Sequence, residues 1–265
     1  MKIKANGIMM NYELTGDGRC LTLIHGAGDN SGVWYKQVPI LSQHFQVLTY
    51  DIRGYGLTEF PEGNVSTQLW VEDLHALLKE LSIPRTFLLG TSRGGLIALN
   101  FALTYPEKTM ALILSNSSAA ASLRRFPVSE LQARNQASIK AIEEGGMAAV
   151  ADRLIPMMFA PDFPEKDPAT VACYKSIVMN NAPRKVIRVL QRTVPSEPPD
   201  LKRISCPVLI IGGLYDAEIS PQGYEAIRVG IPNSKLVMFP AGHLAALEMP
   251  EEHAGAVIDF LSTVS

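Results

Sequence analysis

The chain has 265 residues, of which 47% are hydrophobic and 19% are charged, and this composition excludes an intrinsically disordered protein. The length predicts one large domain, or one domain that carries an insertion. Twenty-four Lys and Arg residues against 26 Asp and Glu residues give a formal net charge of −2, so no overall positive field is present to recruit nucleic acid. The cysteines are odd in number and widely spaced, so neither a disulfide framework nor a cysteine-based metal site is expected.

The sequence shows no segment that indicates membrane insertion or secretion. No run of about 18 apolar residues is present to span a bilayer. The turn dipeptide Asn6-Gly7 interrupts the start of the chain before any apolar stretch long enough for a signal peptide. We therefore expect a soluble protein of a reducing compartment, with a cytoplasmic location and no membrane partner.

Short apolar runs alternate with helical patterns along most of the chain. A hairpin is predicted around Asn6-Gly7, because this dipeptide accepts the positive φ angles of a two-residue turn. Apolar residues also recur at helical spacing over 70–81 and 254–261. The pattern predicts an α/β fold with a mostly parallel sheet. Six further runs lack polar alternation, as strands covered on both faces do: residues 21–24, 47–50, 87–89, 111–114, 208–211 and 236–239.

The strand–helix alternation stops between residues 117 and 200. Helical patterns occur there at 131–142, 147–158, 169–179 and 184–190, without a convincing strand. The flanking segments 117–121 and 195–199 have the composition of linkers. We therefore predict a core of residues 1–116 and 201–265 and a helical cap or lid of residues 117–200. Extra packing without a lid function is the alternative.

A Gly-x-Ser-x-Gly motif follows the run 87–89 and precedes a helical pattern over 96–103. The motif is Gly90-Thr91-Ser92-Arg93-Gly94. In this context it predicts a strained strand-to-helix turn that presents the Ser92 hydroxyl above the sheet. Neighbouring chain would pass so close that Gly90 and Gly94 must lack side chains.

A second glycine-rich loop, His25-Gly26-Ala27-Gly28, directly follows the run 21–24. Such a loop can aim a backbone N–H at a developing oxyanion, beside the N–H of the residue after the nucleophile. The predicted oxyanion donors are therefore the amides of Ala27 and Arg93. A glycine-rich turn without chemistry is the alternative for this segment.

A serine nucleophile needs a base, and the base needs an acid to orient it. His243 follows the run 236–239 through a short loop, at the carboxyl end of a strand where sites of open α/β sheets form. Asp216 occupies the equivalent position one strand earlier. The chain order Ser92, Asp216, His243 is the order of this architecture. The other four histidines lie in helical patterns or in the loop just described: His25, His44, His75 and His253.

Together these segments resemble serine hydrolases of the α/β-hydrolase fold, in the branch of small esterases and 3-oxoadipate enol-lactone hydrolases. The resemblance covers about residues 8–116 and 201–263. It implies a mostly parallel eight-stranded sheet flanked by helices, with a helical cap insertion. It also implies that Asp51–Gly56 is chiefly a structural turn. The matching segments are 25–28, 51–56, 90–94, 213–216, 242–244 and 248–250.

The predicted reaction is hydrolysis of a carboxylic ester or lactone through an acyl-enzyme on Ser92, without a metal or organic cofactor. Ser92 disfavours the epoxide hydrolases and haloalkane dehalogenases, which carry Asp as nucleophile. The loop 25–30 lacks the Gly-Pro-Gly ending typical of carbon–carbon bond hydrolases. Three alternatives stay open because they use the same residues: a cofactor-free perhydrolase or haloperoxidase, a hydroxynitrile lyase, and a ligand-binding receptor with slow turnover.

Several further residues are candidates for substrate contact. Arg93 stands where relatives more often carry an apolar residue or Gln, so it either grips a substrate carboxylate or forms an internal ion pair. His25 and Gly26 belong to the oxyanion loop. Met157 and Met158 offer soft apolar surface from the cap, although packing within the insertion is an alternative role.

Overall fold

The computed structural model describes residues 1–118, 128–194 and 198–264. It contains a single eight-stranded sheet in these ranges, with the order β1-β2-β4-β3-β5-β6-β7-β8. Strand β2 pairs antiparallel with both β1 and β4. All the other pairings in the sheet, from β4–β3 to β7–β8, are parallel. The predicted α/β fold with a mostly parallel sheet is therefore confirmed. The strands are β1 (Lys2–Ala5), β2 (Ile8–Thr15), β3 (Cys20–Ile24), β4 (Gln46–Tyr50), β5 (Thr86–Thr91), β6 (Thr109–Ser115), β7 (Val208–Gly213) and β8 (Ser234–Phe239).

The central strands are buried because helices cover both faces of the sheet. Every residue of β3, β5, β6 and β7 is buried, apart from Met110, which is half-buried. This explains their uninterrupted apolar sequences. The helices of the described residues are α1 (Val38–Leu41), α2 (Thr67–Glu80), α3 (Arg93–Thr104), α4 (Val128–Met158), α5 (Phe163–Lys166), α6 (Pro168–Met179), α7 (Pro183–Arg192), α8 (Pro221–Gly230), α9 (Ala245–Glu248) and α10 (Pro250–Ser262).

Between β6 and β7, the described residues form four α-helices, α4 to α7, which we call the cap helices. The sequence predicts two helical segments for residues 131–158, and α4 indeed changes direction at Gly146, where φ is +66° and ψ is −163°. Helix α4 packs against both α6 and α7. The predicted linkers lie partly outside the described residues, at 119–121 and 195–197, and the division into core and cap stays a prediction.

The parallel topology brings the loops that follow the central strands to one edge of the sheet. The loop 25–30 follows β3, Ser92 follows β5, and Asn116 follows β6. Asp216 and His243 follow β7 and β8. Residues far apart in the chain therefore meet at this edge. Within the described ranges, no helix combines the length and apolarity needed to cross a membrane.

Candidate active site

Ser92 lies in a strained turn between β5 and α3, with φ +52° and ψ −117°. A Cβ atom added to Gly90 would lie 2.2 Å from the carbonyl oxygen of Gly94, and one added to Gly94 would lie 2.0 Å from that of Ile24. The expectation that both positions exclude side chains is therefore confirmed. The Ser92 amide donates to the carbonyl oxygens of Ser115 (3.2 Å) and Asn116 (3.1 Å), which fixes the turn against the end of β6.

His243 and Asp216 form a buried pair at the same edge of the sheet. His243 Nδ1 lies 3.0 Å from Asp216 Oδ1 and 2.9 Å from Oδ2, and the two residues are only 3% and 1% exposed. Burial alone raises the pKa of Asp216, but the contact with His243 and several donated hydrogen bonds outweigh it and hold this pKa below its ordinary value. An ionised Asp216 therefore accepts from Nδ1–H, which fixes the tautomer of His243.

Four further donors hold the Asp216 carboxylate. The amides of Glu218 and Ile219 donate to Oδ1 at 2.7 and 3.1 Å. Asn116 Nδ2 donates to Oδ2 at 3.2 Å, and the Tyr224 hydroxyl donates to the same oxygen. Sequence reasoning missed both side chains. The available signal for Asn116 was its position at the end of β6, beside the strand that precedes Asp216.

A second buried histidine, His253, is hydrogen-bonded through both ring nitrogens to residues other than Asp216. His253 lies on α10, with Nε2 3.0 Å from Ser115 Oγ and Nδ1 3.0 Å from Gln37 Oε1. Burial lowers the pKa of His253 to about 3, so the ring is neutral near neutral pH. With both ring nitrogens hydrogen-bonded, His253 offers no free base, which favours His243 for that role.

The His243 loop is bonded to the end of the first cap helix. The Leu244 amide donates to the carbonyl oxygen of Met158 at 3.0 Å. The Glu248 carboxylate accepts from the amides of Gly242 (2.8 Å) and Ala160 (3.1 Å), and it therefore bridges the loop and the cap. Burial raises the pKa of Glu248 to about 7.

A cavity of about 370 Å³ opens beside Ser92 and His243. Gly26, Ala27 and Arg93 line it, as do Met157 and Met158 from α4. These five residues, which the sequence analysis named as oxyanion donors or as candidates for substrate contact, thus all lie in the cavity wall. The amides of Ala27 and Arg93 have no acceptor in the part of the chain that the structure describes. Other cap residues complete the wall: Leu131, Arg134, Asn135, Ser138, Val150, Arg153, Leu154, Val186 and Leu190.

His25, the first residue of the loop 25–30, does not line the cavity and is completely buried. The Ile52 amide donates to its Nε2 at 2.9 Å, so the proton is on Nδ1, which lies 2.8 Å from the carbonyl oxygen of Gly26. Burial lowers the pKa of His25 to about 4 and keeps the ring neutral. The expected substrate contact of His25 therefore has no support in the structure, because both ring nitrogens are already used to hold the loop.

Arg93 lines the cavity, and its guanidinium group contacts two aromatic side chains. Its Nη1 donates to the Tyr55 hydroxyl at 3.1 Å, and its Cζ lies 5.0 Å from the centre of the Trp70 ring. No carboxylate of the described residues lies within ion-pair distance of Arg93. This geometry does not support an internal ion pair, which was one of the two roles that the sequence analysis gave for Arg93. Tyr55, which also lines the cavity, was not predicted as a site residue.

A second carboxyl group lies in the cavity wall, on Asp29, which is 3% exposed. Its Oδ1 has no hydrogen-bond partner among the described residues. Burial raises the pKa of Asp29 to about 7, although nearby Tyr174, His243 and the Gly26 amide each lower it. The sequence analysis did not single out Asp29. Its position just after the oxyanion loop was the available signal.

Asp29→Asn is expected to change the pH dependence of stability. The folded-state pKa lies above the ordinary 3.8, so the contribution of Asp29 is greatest below about pH 4 and is lost as pH rises through about 7. Between pH 5 and pH 8.5 the wild type should therefore lose on the order of 2–3 kcal/mol of unfolding free energy relative to the variant. Urea denaturation at both pH values measures this difference. Asp259→Asn, on the exposed side of α10, is the control, and parallel curves for Asp29→Asn would contradict the expectation.

The described residues, with gaps at 119–127 and 195–197, contain no group of three or more His, Cys, Asp or Glu side chains that could hold a metal ion. The family model of the alpha/beta hydrolase fold matches residues 20–250. The chain therefore belongs to the α/β-hydrolase fold family, as the resemblance implied.

Among known proteins, the chain is similar to enol-lactonases and esterases of this fold. It is 27% identical over 258 residues to 3-oxoadipate enol-lactonase 2 of Acinetobacter baylyi, which covers 96% of this chain and 94% of the relative. A thermophilic esterase from Thermogutta terrifontis, solved with malate bound, has a TM-score of 0.86 and 26% identity and covers 99% of this chain and 97% of its own. A relative from Mycobacterium tuberculosis, BpoC, named as a non-heme bromoperoxidase, is 26% identical over 97% of this chain and 99% of its own length.

Proposed function

We propose that this protein hydrolyses a carboxylic ester or lactone through an acyl-enzyme on Ser92. The observation that carries the proposal is the buried His243–Asp216 pair at the wall of the cavity that also exposes Ser92. The strained turn at Ser92 and the similarity to an enol-lactonase and an esterase support it. The substrate partner would be a small molecule, bound without a metal or organic cofactor.

In the first half of the reaction, His243 takes the hydroxyl proton of Ser92 while Oγ attacks the carbonyl carbon. The carbonyl oxygen becomes an oxyanion, which the amides of Ala27 and Arg93 stabilise by about 3 kcal/mol per donor. His243 then gives its proton to the leaving oxygen as the carbon–oxygen bond breaks. An ester releases its alcohol, whereas a lactone keeps the new hydroxyl on the acyl chain.

In the second half, water replaces the alcohol. His243 takes a proton from water as the water oxygen attacks the acyl carbon, and it returns the proton to Ser92 Oγ when the acyl–oxygen bond breaks. The carboxylic acid leaves and the serine hydroxyl is restored. Asp216 stays ionised throughout and stabilises the charged imidazolium. Its four additional donors favour this ionised form.

A cofactor-free perhydrolase is the second candidate, and the similarity to BpoC favours it. In that reaction hydrogen peroxide attacks the acyl-Ser92 in place of water and a peroxy acid is released. The peroxy acid would oxidise bromide to hypobromous acid. Wild-type protein supplied with an acyl ester, peroxide and bromide would therefore cause bromination of monochlorodimedone. Ester hydrolysis without peroxide-dependent bromination would reject this candidate.

The cavity also supports a proposal about charge on the substrate. Arg93, Arg134 and Arg153 line it, and Arg134 is already paired with Glu130 and Glu218. The guanidinium groups of Arg93 and Arg153 remain to bind a carboxylate through paired hydrogen bonds. Malate, a dicarboxylate, is bound in the structure of the Thermogutta terrifontis esterase. We therefore assign to Arg93 the binding of a carboxylate on the substrate, away from the reacting carbonyl.

Arg93→Met is expected to raise KM for monomethyl adipate by about tenfold, because one charge-assisted contact is lost. KM for the neutral dimethyl ester should change little, since the backbone amide of residue 93 remains. Arg184→Met, at an exposed position of α7, controls for the change in net charge. An equal loss of activity on both esters would contradict the assignment.

The remaining parts of the proposal concern organisation. We assign residues 117–200 to a cap over the core of residues 1–116 and 201–265, because α4 and α7 line the cavity together with Ser92. A location in the cytoplasm fits three widely spaced cysteines. Both assignments can be tested separately from the chemistry, by limited proteolysis and by fractionation.

The direct test of function is a pH-stat panel of short and long acyl esters, aryl esters and lactones, with Ser92→Ala beside the wild type. Acid release that disappears in the variant would support the serine mechanism, and the order of substrates would define the preferred acyl group. Tight ligand binding without acid release from any substrate would instead favour a receptor with slow turnover.

A further inference from the structure

Asp29 differs from the other polar residues of the site because no described side chain or backbone group satisfies its Oδ1. A buried polar atom without a partner destabilises the fold, and the effect is larger when the atom is charged. The buried Tyr174 hydroxyl lies close enough to lower the pKa of Asp29, but it forms no hydrogen bond of ordinary geometry within the described residues. This part of the site therefore has unused capacity for hydrogen bonds, and Asp29 lies in the wall of the cavity.

The carboxyl group is close to the reacting centre. A Cβ atom built on Gly26 would lie 2.9 Å from Asp29 Oδ2 and 3.3 Å from Ser92 Cβ. The carboxyl oxygen and the nucleophile thus flank one point of the oxyanion loop. A group attached near the carbonyl carbon of a bound substrate is within reach of Asp29, whereas a group far along the chain is not.

The charged residues around Asp29 favour one kind of substrate group over others. Arg93, Arg134 and Arg153 line the same cavity, and Arg134 is paired with Glu218, which also lines it. Arg93 and Arg153 leave the cavity with a net positive charge, which disfavours a cationic amine. A neutral hydroxyl has both a proton to donate and lone pairs to accept. It can therefore pair with Asp29 whether the carboxyl is ionised or neutral, and a pKa of about 7 populates both forms near neutral pH.

We propose that Asp29 is a specificity-determining residue that hydrogen-bonds a hydroxyl group on the acyl part of the substrate, one or two carbons from the reacting carbonyl. The substrate class is thus the esters or lactones of α- or β-hydroxy acids. This inference rests on the proposed hydrolysis at Ser92 and narrows its substrates. A site built around a buried polar group discriminates against an analogue that lacks the matching hydroxyl, because the group is then left unpaired.

The test compares matched esters that differ only in the hydroxyl: ethyl lactate with ethyl propionate, and ethyl β-hydroxybutyrate with ethyl butyrate. Each kcat/KM is divided by the rate of hydroxide-catalysed hydrolysis of the same ester. We expect the wild type to favour the hydroxy ester by about tenfold or more in at least one pair. Asp29→Ala should bring that ratio close to one while it retains hydrolysis of the ester without the hydroxyl.

Asp29→Asn is the second variant, because it keeps an acceptor oxygen at the same position and should retain part of the preference. If Asp29→Ala does not fold, a reduced ratio of hydroxy ester to matched ester in Asp29→Asn would support the proposal. Equal corrected rates for both members of each pair in the wild type would overturn it, as would a preference that Asp29→Ala leaves intact. Those results would not contradict hydrolysis at Ser92. Activity retained by Ser92→Ala, in contrast, would reject the proposed function itself.

Discussion

Ser92→Ala is expected to lower kcat for any ester substrate by at least about 10³-fold. The variant lacks the oxygen that forms the acyl-enzyme, so only the oxyanion donors and the bound water remain to promote hydrolysis. Substrate binding should change little, because the cavity keeps the rest of its wall. Steady-state kinetics with the best ester of the panel would measure the effect.

Ser138→Ala is the matched control, since Ser138 lines the same cavity from α4. We assign it no part in the reaction, so its kcat should stay close to the wild-type value. Near-normal turnover by Ser92→Ala, or an equally large loss in Ser138→Ala, would contradict the assignment of Ser92 as the nucleophile.

Asp216→Asn is expected to lower kcat by about 10²–10⁴-fold. An ionised carboxylate accepts from His243 Nδ1 and leaves Nε2 as the base, whereas an amide N–H facing the ring would favour the opposite tautomer. The variant would also place its amide against donors, because Asn116 and Tyr224 both donate to this side chain in the wild type. Loss of a stabilising negative charge beside the imidazolium adds to the effect.

Kinetics of Asp216→Asn should therefore be read together with its stability. Replacement of a buried acceptor by a group with N–H donors is expected to lower the unfolding free energy as well. Circular dichroism at the assay temperature shows whether the variant is folded. Glu225→Gln, at an exposed position of α8, should behave like the wild type in both measurements. A folded Asp216→Asn protein with an unchanged kcat would remove Asp216 from the mechanism.

The sheet could be predicted from the sequence because each strand is a short apolar run between turn residues. All eight predicted strands are present, from the hairpin at Asn6-Gly7 to β8. The motif around Ser92 could be predicted for a similar reason, since the close approach of backbone at Gly90 and Gly94 requires glycine. Both signals come from residues that are close together in the chain, so they can be recognised in a single sequence.

The parts that could not be predicted depend on contacts between distant segments. Asn116 and Tyr224 meet Asp216 only because β6, β7 and α8 are packed side by side. The loop sequence suggested that His25 contacts the substrate, yet the Ile52 amide occupies its Nε2. The raised pKa of Asp29 likewise follows from burial by the folded chain.

The cap shows the same limit. Its helical patterns predicted α4, α6 and α7, but the two segments of α4 are joined at Gly146 without a loop. Met157 and Met158 were candidates for substrate contact, but periodicity alone does not distinguish a cavity wall from a packed interface. Their position depends on how the end of α4 is bonded to the His243 loop, through the Leu244 amide.

The central claim is that an acyl group is transferred to Ser92, and rapid acid quenching followed by mass spectrometry tests it most directly. Wild-type protein mixed with p-nitrophenyl acetate at mildly acidic pH, where deacylation is slow, should carry one acetyl group. Proteolytic fragments should place that group on Ser92, and the Ser92→Ala protein should carry none. An acetyl group on another residue during turnover, or turnover with no acyl-enzyme at the earliest quench times, would contradict the account.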